Sequence, residues 1–504
     1  MAAKKFYITT PLYYVNASPH IGHSYTTIAA DAVARSMRKK LGGGNVWFLT
    51  GTDEHGQKIQ KAADLAGVST NVFTDNVARK FQKLWEDLNI SHDDFIRTTE
   101  ERHVRTVKKV LEILRAKGDI YESKYEGWYC TPCESFWTDA QAEGKICPDC
   151  QRPVEKISET NYFFKLSKYQ DWLVDHIQKN PDFICPEMRR NEVLSFLNLN
   201  KLTDLCVSRP KERLSWGIPL PFSSDHVTYV WFDALINYIS AVGEFDEKGK
   251  YHSKWWPADI HLMAKDIIRQ HAVYWPIMLK ALDIEPARMV LAHGWWLIAD
   301  TKMSKSRGNV VAPADMINKF GLDAYRYFLL RDVPFGFDGN FSEESITKRF
   351  NSDLANDLGN LVYRTLTMVE KYYQGAIPDY SGLSDQSKGI LERVKALPGE
   401  CDLEANKFNF SQVLENIWSL IGAANKYVEE TKPWNLAKEN KAEELKSFIR
   451  LLVDVIRAVA EEISPFMPAT AASIKEQFGT DIIKKGAPLF PRIETEESKA
   501  KKNR

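Results

Sequence analysis

No stretch of this sequence approaches the roughly 20 consecutive apolar residues needed to cross a bilayer, which removes a membrane-spanning role. An excess of charge of one sign is also missing: 67 lysines and arginines face 67 aspartates and glutamates. The balance persists through 346–504. There is thus no cationic arm, and any nucleic acid must be held by local patches and shape rather than by bulk charge. Strong internal repeats are absent, and the only low-complexity stretch is the lysine-rich 499–504. The first residues lack an apolar signal core, so the cytoplasm is the expected compartment. Cysteine is scarce and odd in number, 7 in 504 residues, and four of the seven fall in two close pairs. In a reducing compartment that arrangement points to a metal before disulfides.

What is present describes a globular chain, 44% hydrophobic and 27% charged, long enough for roughly three or four domains. Residues 6–10 read as a short buried strand ended by Pro11. Residues 24–40 read as a helix with Ile28, Ala32 and Val33 on one side, stopped by Gly42-Gly43-Gly44, and 46–49 read as a second strand. Strand, crossover helix and strand with short links predict a parallel α/β sheet, and charged helical stretches at 60–90 and 101–117 continue it. The texture changes over 121–221, where the cysteine pairs fall. It returns with strand-like runs at 227–232, 260–263 and 289–292. The last third is helical: Phe410, Val413, Leu414, Ile417, Trp418, Ile421 and Ala424 keep helical spacing, and 448–463 behaves alike until Pro465. The expected fold is α/β. A Rossmann-like parallel-sheet domain (1–120 and 222–295) is split by an insertion (121–221), and a polar-loop region (296–345) leads to an all-α bundle (346–504).

Two segments carry phosphate chemistry. Pro19-His20-Ile21-Gly22-His23 lies between the first strand and the first helix. There, free backbone N–H groups and the helix dipole face an anion, Gly22 lets a nucleotide approach the backbone, and two imidazoles can bond phosphate oxygens. Thr301-Lys302-Met303-Ser304-Lys305-Ser306-Arg307-Gly308-Asn309 is a polar loop whose ammonium groups suit the charge that builds on leaving pyrophosphate. Each alone also fits a bland reading, polar residues starting a helix or a solvated loop. Together, in this order and beside α/β segments, they resemble the paired signatures of class I aminoacyl-tRNA synthetases over nearly the whole chain. The resemblance implies that His20 and His23 bind the ATP phosphates and that Lys305, with Lys302, stabilises the transition state, with Mg2+ accompanying ATP. It also implies that the Gly294 of His293-Gly294 admits the adenine.

Pro11-Leu12-Tyr13-Tyr14-Val15-Asn16, Gly51-Thr52-Asp53-Glu54-His55-Gly56 and Tyr229-Val230-Trp231-Phe232-Asp233-Ala234 look like the methionyl-tRNA synthetases. Asp53 ends a parallel strand, where ligands bind in such sheets, and its carboxylate suits an α-ammonium group. Leu12, Tyr14, Trp231, Ala234, Leu235, Tyr238, Ile267 and His271 match the family's side-chain pocket, whose rings suit a thioether. Read without the family, 229–232 is an aromatic strand of the core. Arg209 and Asp266 align with a pair that supports the substrate. A cysteine-specific sister would carry a zinc-binding cysteine before His20, where this chain has Pro11-Leu12-Tyr13. The leucine, isoleucine and valine enzymes carry an editing domain too large for 121–221.

Cys130-Thr-Pro-Cys133 and Cys147-Pro-Asp-Cys150, separated by 13 residues, are two hooks that can place four thiolates around a structural zinc. The resemblance agrees, since these enzymes often carry such a knuckle. It also implies that Asn360, Arg364, Pro433 and Trp434 contact the CAU anticodon of initiator and elongator tRNA(Met), an aromatic ring and polar side chains being what single-stranded bases require. No oligonucleotide-binding extension is recognised after the bundle, so a monomer is expected. The implied substrates are ATP, L-methionine and tRNA. An unrelated adenylyl-transferring enzyme would ignore tRNA, and a zinc-containing RNA-binding protein would have no use for Lys305.

Overall fold

The computed structural model describes residues 4–494 apart from 17, 132–134, 138, 140, 149–150, 299–300 and 303–310. The chain divides into two compact units, 1–293 and 294–504.

In the first unit every residue of the strand Phe6–Thr9 is buried, as befits the inside of a parallel sheet covered on both faces. It pairs in parallel with Val46–Asp53 on one side and with Ile260–Ala264 on the other. Asp94–Arg97 lies beyond Val46–Asp53, while Val290–His293 and then Ile184–Cys185 lie beyond Ile260–Ala264. The chain therefore builds outward on one side of its first strand and later returns to build on the other. The carboxyl end of Phe6–Thr9 is thus a topological switch point, the crevice in which such sheets bind ligands.

The crossover helix runs Ile21–Leu41, starting three residues before the predicted helix. Its buried face is rich in alanine, Arg38, Lys39 and Lys40 complement the dipole in its last turn, and Gly42 at φ 86° ends it. The early start puts Gly22 and His23 inside the first turn and makes His20 the cap.

Two expectations are corrected. The run 227–232 is β-branched and aromatic, yet only His226–Thr228 is strand, paired with Ser208–Pro210. Val230–Leu235 is helix, and it buries Val230, Phe232, Ala234 and Leu235. Burial on several sides overrides an intrinsic β preference. The segment 121–221 does form its own antiparallel sheet, Ile120–Cys130 with Ser135–Trp137, Glu155–Phe164 and Leu205–Cys206. It also lends Ile184–Cys185 to the edge of the main sheet, so it is not wholly an insertion.

The second unit opens with short strands, Trp296–Ile298 between Thr301–Lys302 and Gly339–Asn340. Helices follow, among them Leu322–Arg331, Asn360–Tyr373, Phe410–Thr431 and Ala442–Ile463. Leu414, Ile417, Ile421 and Ala424 bury the face of Phe410–Thr431, and Leu452, Val455, Ile456 and Val459 that of Ala442–Ile463. Buried Arg326 donates to the carbonyls of Pro465 and Phe466 just past that helix, at 3.1 and 2.9 Å, which gives its buried guanidinium acceptors.

Candidate active site

His20 and His23 cap one another's helix end. Gly22 N–H donates to His20 Nδ1 at 3.1 Å and His20 N–H to His23 Nδ1 at 3.0 Å, with ring centroids 3.9 Å apart. His23 also stands edge-on to Tyr13 and Phe81, at 5.3 and 5.4 Å. The glycine between them is explained by this geometry: a Cβ at Gly22 would lie 2.9 Å from His20 Cε1. One turn on, Thr26 Oγ1 and His293 Nε2 are 2.7 Å apart, and Tyr25 meets the His293 ring at 4.7 Å. Gly294 is confined in the same way. A Cβ there would meet Phe337 O at 2.2 Å, so the protein's own backbone also approaches this glycine closely.

The predicted pocket residues gather at the switch point. Leu12 and Tyr14 follow the first strand, and Tyr14 is paired in register with Asp53, which is buried at the end of its strand. Leu235 and Tyr238 belong to one apolar cluster, against which Leu12 and Ile267 pack. The helix that carries Trp231, Ala234 and Leu235 packs against the π-helical turn Gln270–Tyr274, which carries His271. Trp231 is half-buried. Tyr238 OH and His271 Nε2 are 2.7 Å apart, and His271 Nδ1 reaches Ile267 O at 2.9 Å. Since a carbonyl only accepts, Nδ1 carries the proton and Nε2 accepts from Tyr238. Burial pushes the His271 pKa down to about 4, so the ring is neutral. Burial chiefly raises the Tyr238 phenol, and the charge of Asp53 adds to that.

Arg209 is buried in Ser208–Pro210, with Glu159 at 3.1 Å and the Tyr129 ring at 3.8 Å, while Asp266 is exposed in the turn Lys265–Ile267. Sequence reasoning missed two buried carboxylates next to the pocket. Glu54 accepts from Arg97 at 2.6 and 2.9 Å, from Thr52 at 2.7 Å and from Thr99 at 2.7 Å. Asp233 lies between His55 and His103. Burial alone would raise its pKa, but the two imidazoles hold it below the ordinary value. No local pattern marks either carboxylate, because their basic partners are distant in sequence.

Cys130 and Cys147 are buried in one small cluster with Trp137, Ala142 and Val154. Cys133 and Cys150 lie outside the described residues, as do Lys305 and the side chain of Lys302. In the second unit, Asn360 is exposed at the start of its helix, and Arg364 bonds Glu429 at 2.6 Å. Four and five residues beyond Glu429, Pro433 is buried and Trp434 is 40% exposed. That ion pair brings Asn360 and Arg364 to the end of the bundle where Trp434 sits.

The family model for class I tRNA synthetases (M) matches residues 6–157 and 152–366, and that for the anticodon binding domain of methionyl tRNA ligase matches 378–488. The chain is 48% identical to the methionine–tRNA ligase of Clostridium acetobutylicum over 98% of its own length and 79% of the relative's. With the Bacillus subtilis ligase it shares 46% identity over 98% and 78%. The Mycobacterium tuberculosis methionyl-tRNA synthetase in complex with methionyl-adenylate superposes with a TM-score of 0.92 at 40% identity, covering 97% of this chain and 100% of that one. Sheet order, capped histidine pair, switch-point pocket and these likenesses agree, and the chain belongs to the methionyl-tRNA synthetase family of class I aminoacyl-tRNA synthetases.

Proposed function

We propose that this chain activates L-methionine with Mg-bound ATP and then transfers the methionyl group to the 3′-terminal adenosine of tRNA(Met), initiator and elongator alike. The observation that carries the reading is the switch-point pocket: a carboxylate at a strand end beside an apolar, aromatic cleft whose imidazole is neutral. Asp53 holds the α-ammonium group. Leu12, Tyr14, Trp231, Ala234, Leu235, Tyr238 and Ile267 surround the thioether, and sulfur packs favourably against such rings. A charged His271 would oppose an apolar side chain, and the hydrogen-bond chain Tyr238–His271–Ile267 keeps it uncharged.

His20 and His23, at the helix N-terminus, take the ATP phosphates. His293 binds the adenosine, with Gly294 letting the adenine approach the backbone, and Arg209 and Asp266 support the substrate. The methionine carboxylate attacks the α-phosphorus and the bond to the β-phosphate oxygen breaks. Lys305, helped by Lys302, stabilises the charge on the departing pyrophosphate. The protein contributes positioning and charge, with no covalent protein intermediate. Asn360, Arg364, Pro433 and Trp434 contact the anticodon.

Cys130, Cys133, Cys147 and Cys150 fit one structural zinc. The reading is supported by the burial of Cys130 and Cys147 in one cluster and by a donor set that leaves no coordination position open. The chain works in the cytoplasm, where its substrates are. The test is exchange of labelled pyrophosphate into ATP with each amino acid in turn. Exchange with methionine alone supports the reading, exchange with another amino acid overturns the pocket assignment, and no exchange with any overturns the catalytic assignment.

A further inference from the structure

Between the strand that ends in Asp53 and the helix that carries Trp231 lies a fully buried carboxylate, Asp233. Its Oδ2 faces His55 Nδ1 at 2.7 Å and its Oδ1 faces His103 Nε2 at 2.7 Å. His103, also fully buried, reaches Ser240 Oγ at 2.9 Å through Nδ1, and Ser240 donates to Asn237 O at 3.1 Å. Four segments meet there: the loop after Val46–Asp53, the first turn of Glu101–Ala116, and the helices Val230–Leu235 and Asn237–Ser240.

Stability is a weak reason for such a cluster, because a packed apolar replacement is often as stable as a buried ion pair. Direction is a better one, since two charge-assisted hydrogen bonds set the carboxylate's position and orientation. The sequence places each end of the cluster next to the pocket. His55 is two residues beyond Asp53, and Asp233 sits between Trp231 and Ala234. Methionine is gripped at both ends, by its ammonium group and by its thioether, so the spacing of the two grips decides whether both engage.

We propose that Asp233 is a positioning residue for methionine, holding the Trp231–Ala234 wall in register with Asp53 through His55 and His103. The proposal rests on the methionine-activating reading above and adds a specificity determinant to it. Asp233 is occupied by His55 and His103 and is given no contact with ATP or the reacting atoms. Loosening it therefore acts on methionine and leaves ATP alone.

The experiment uses the full chain and measures KM for methionine and for ATP in pyrophosphate exchange, together with methionine Kd by calorimetry and the melting temperature. Asp233→Asn keeps the shape but leaves one acceptor oxygen for two N–H donors. His103→Leu removes the remote donor, whereas His103→Gln returns an N–H at similar reach. Asp233→Asn and His103→Leu are expected to raise KM and Kd for methionine about tenfold, which is ~1.4 kcal/mol. KM for ATP should stay within about twofold, and His103→Gln should recover most of the loss, as a purely structural role would not require. Should Asp233→Asn fail to fold, the His103 pair carries the test. The proposal is overturned if folded variants lose melting temperature while KM for methionine stays within about twofold, if both KM values rise together, or if glutamine does no better than leucine. A wild-type chain without methionine-dependent exchange would instead overturn the reading on which the proposal rests.

Discussion

Replacing Gly22 with alanine separates the stability of the first helix from the placement of its histidines. Inside a helix, alanine is favoured over glycine by about 0.8–1 kcal/mol. The new Cβ would lie 2.9 Å from His20 Cε1 and 3.1 Å from His20 Nδ1, so the imidazole must swing away. Swinging breaks the 3.1 Å bond from Gly22 N–H, a cap of about 1 kcal/mol. The two terms cancel to within roughly 0.5 kcal/mol, so the melting temperature should move by only about 1–2 °C. Nothing cancels the loss in catalysis. A donor removed from a developing charge costs about 10²–10³ in rate, and a displaced ring that is still present should fall near the lower figure. The assay is methionine-dependent pyrophosphate exchange with ATP varied, run beside scanning calorimetry. Exchange within about threefold of wild type at an unchanged melting temperature would refute the assignment of His20 to the phosphates.

Further outcomes are expected. His271 has its pKa depressed to about 4 by burial, so the unfolded chain, with a histidine near 6.5, binds the extra proton first. Its contribution is present above about pH 6.5 and is lost towards pH 4, up to ~3 kcal/mol. Denaturant titrations should show a shallower loss over that window in His271→Leu, and an equal slope would count against a neutral buried ring. Lys305→Ala should cut activation by about 10²–10³ or more while calorimetry finds methionine binding preserved. Trp434→Ala should impair tRNA charging with pyrophosphate exchange intact, and equal loss of both would contradict its anticodon role. Chelation should release one zinc per chain and lower the melting temperature, and Cys147→Ser should bind less zinc by metal analysis.

Chemistry carried by adjacent residues is legible without a structure. The motif around His20 and His23, the lysines near 305 and the spacing of the cysteine pairs lie on short contiguous stretches. The α/β class and the helical last third follow from hydrophobic period. The 227–232 run misled because β-branched and aromatic residues favour strand until a neighbouring core offers burial on several sides. Spacing along 231, 234, 235 and 238 held the opposing signal, which weighs little beside a strong local preference. The two motif glycines are read from sequence as openings for a ligand, and the structure adds that at each of them a Cβ would also meet the protein itself.

The sequence by itself determined the family and the parallel-sheet class, because short motifs and hydrophobic period depend on neighbours along the chain. Only the tertiary structure decided that Ile184–Cys185 completes the sheet edge, that His271 is neutral, and that Asp233 joins His55 to His103. Each of these depends on partners far apart in sequence and on exclusion from water. Neither can be read from local residue order.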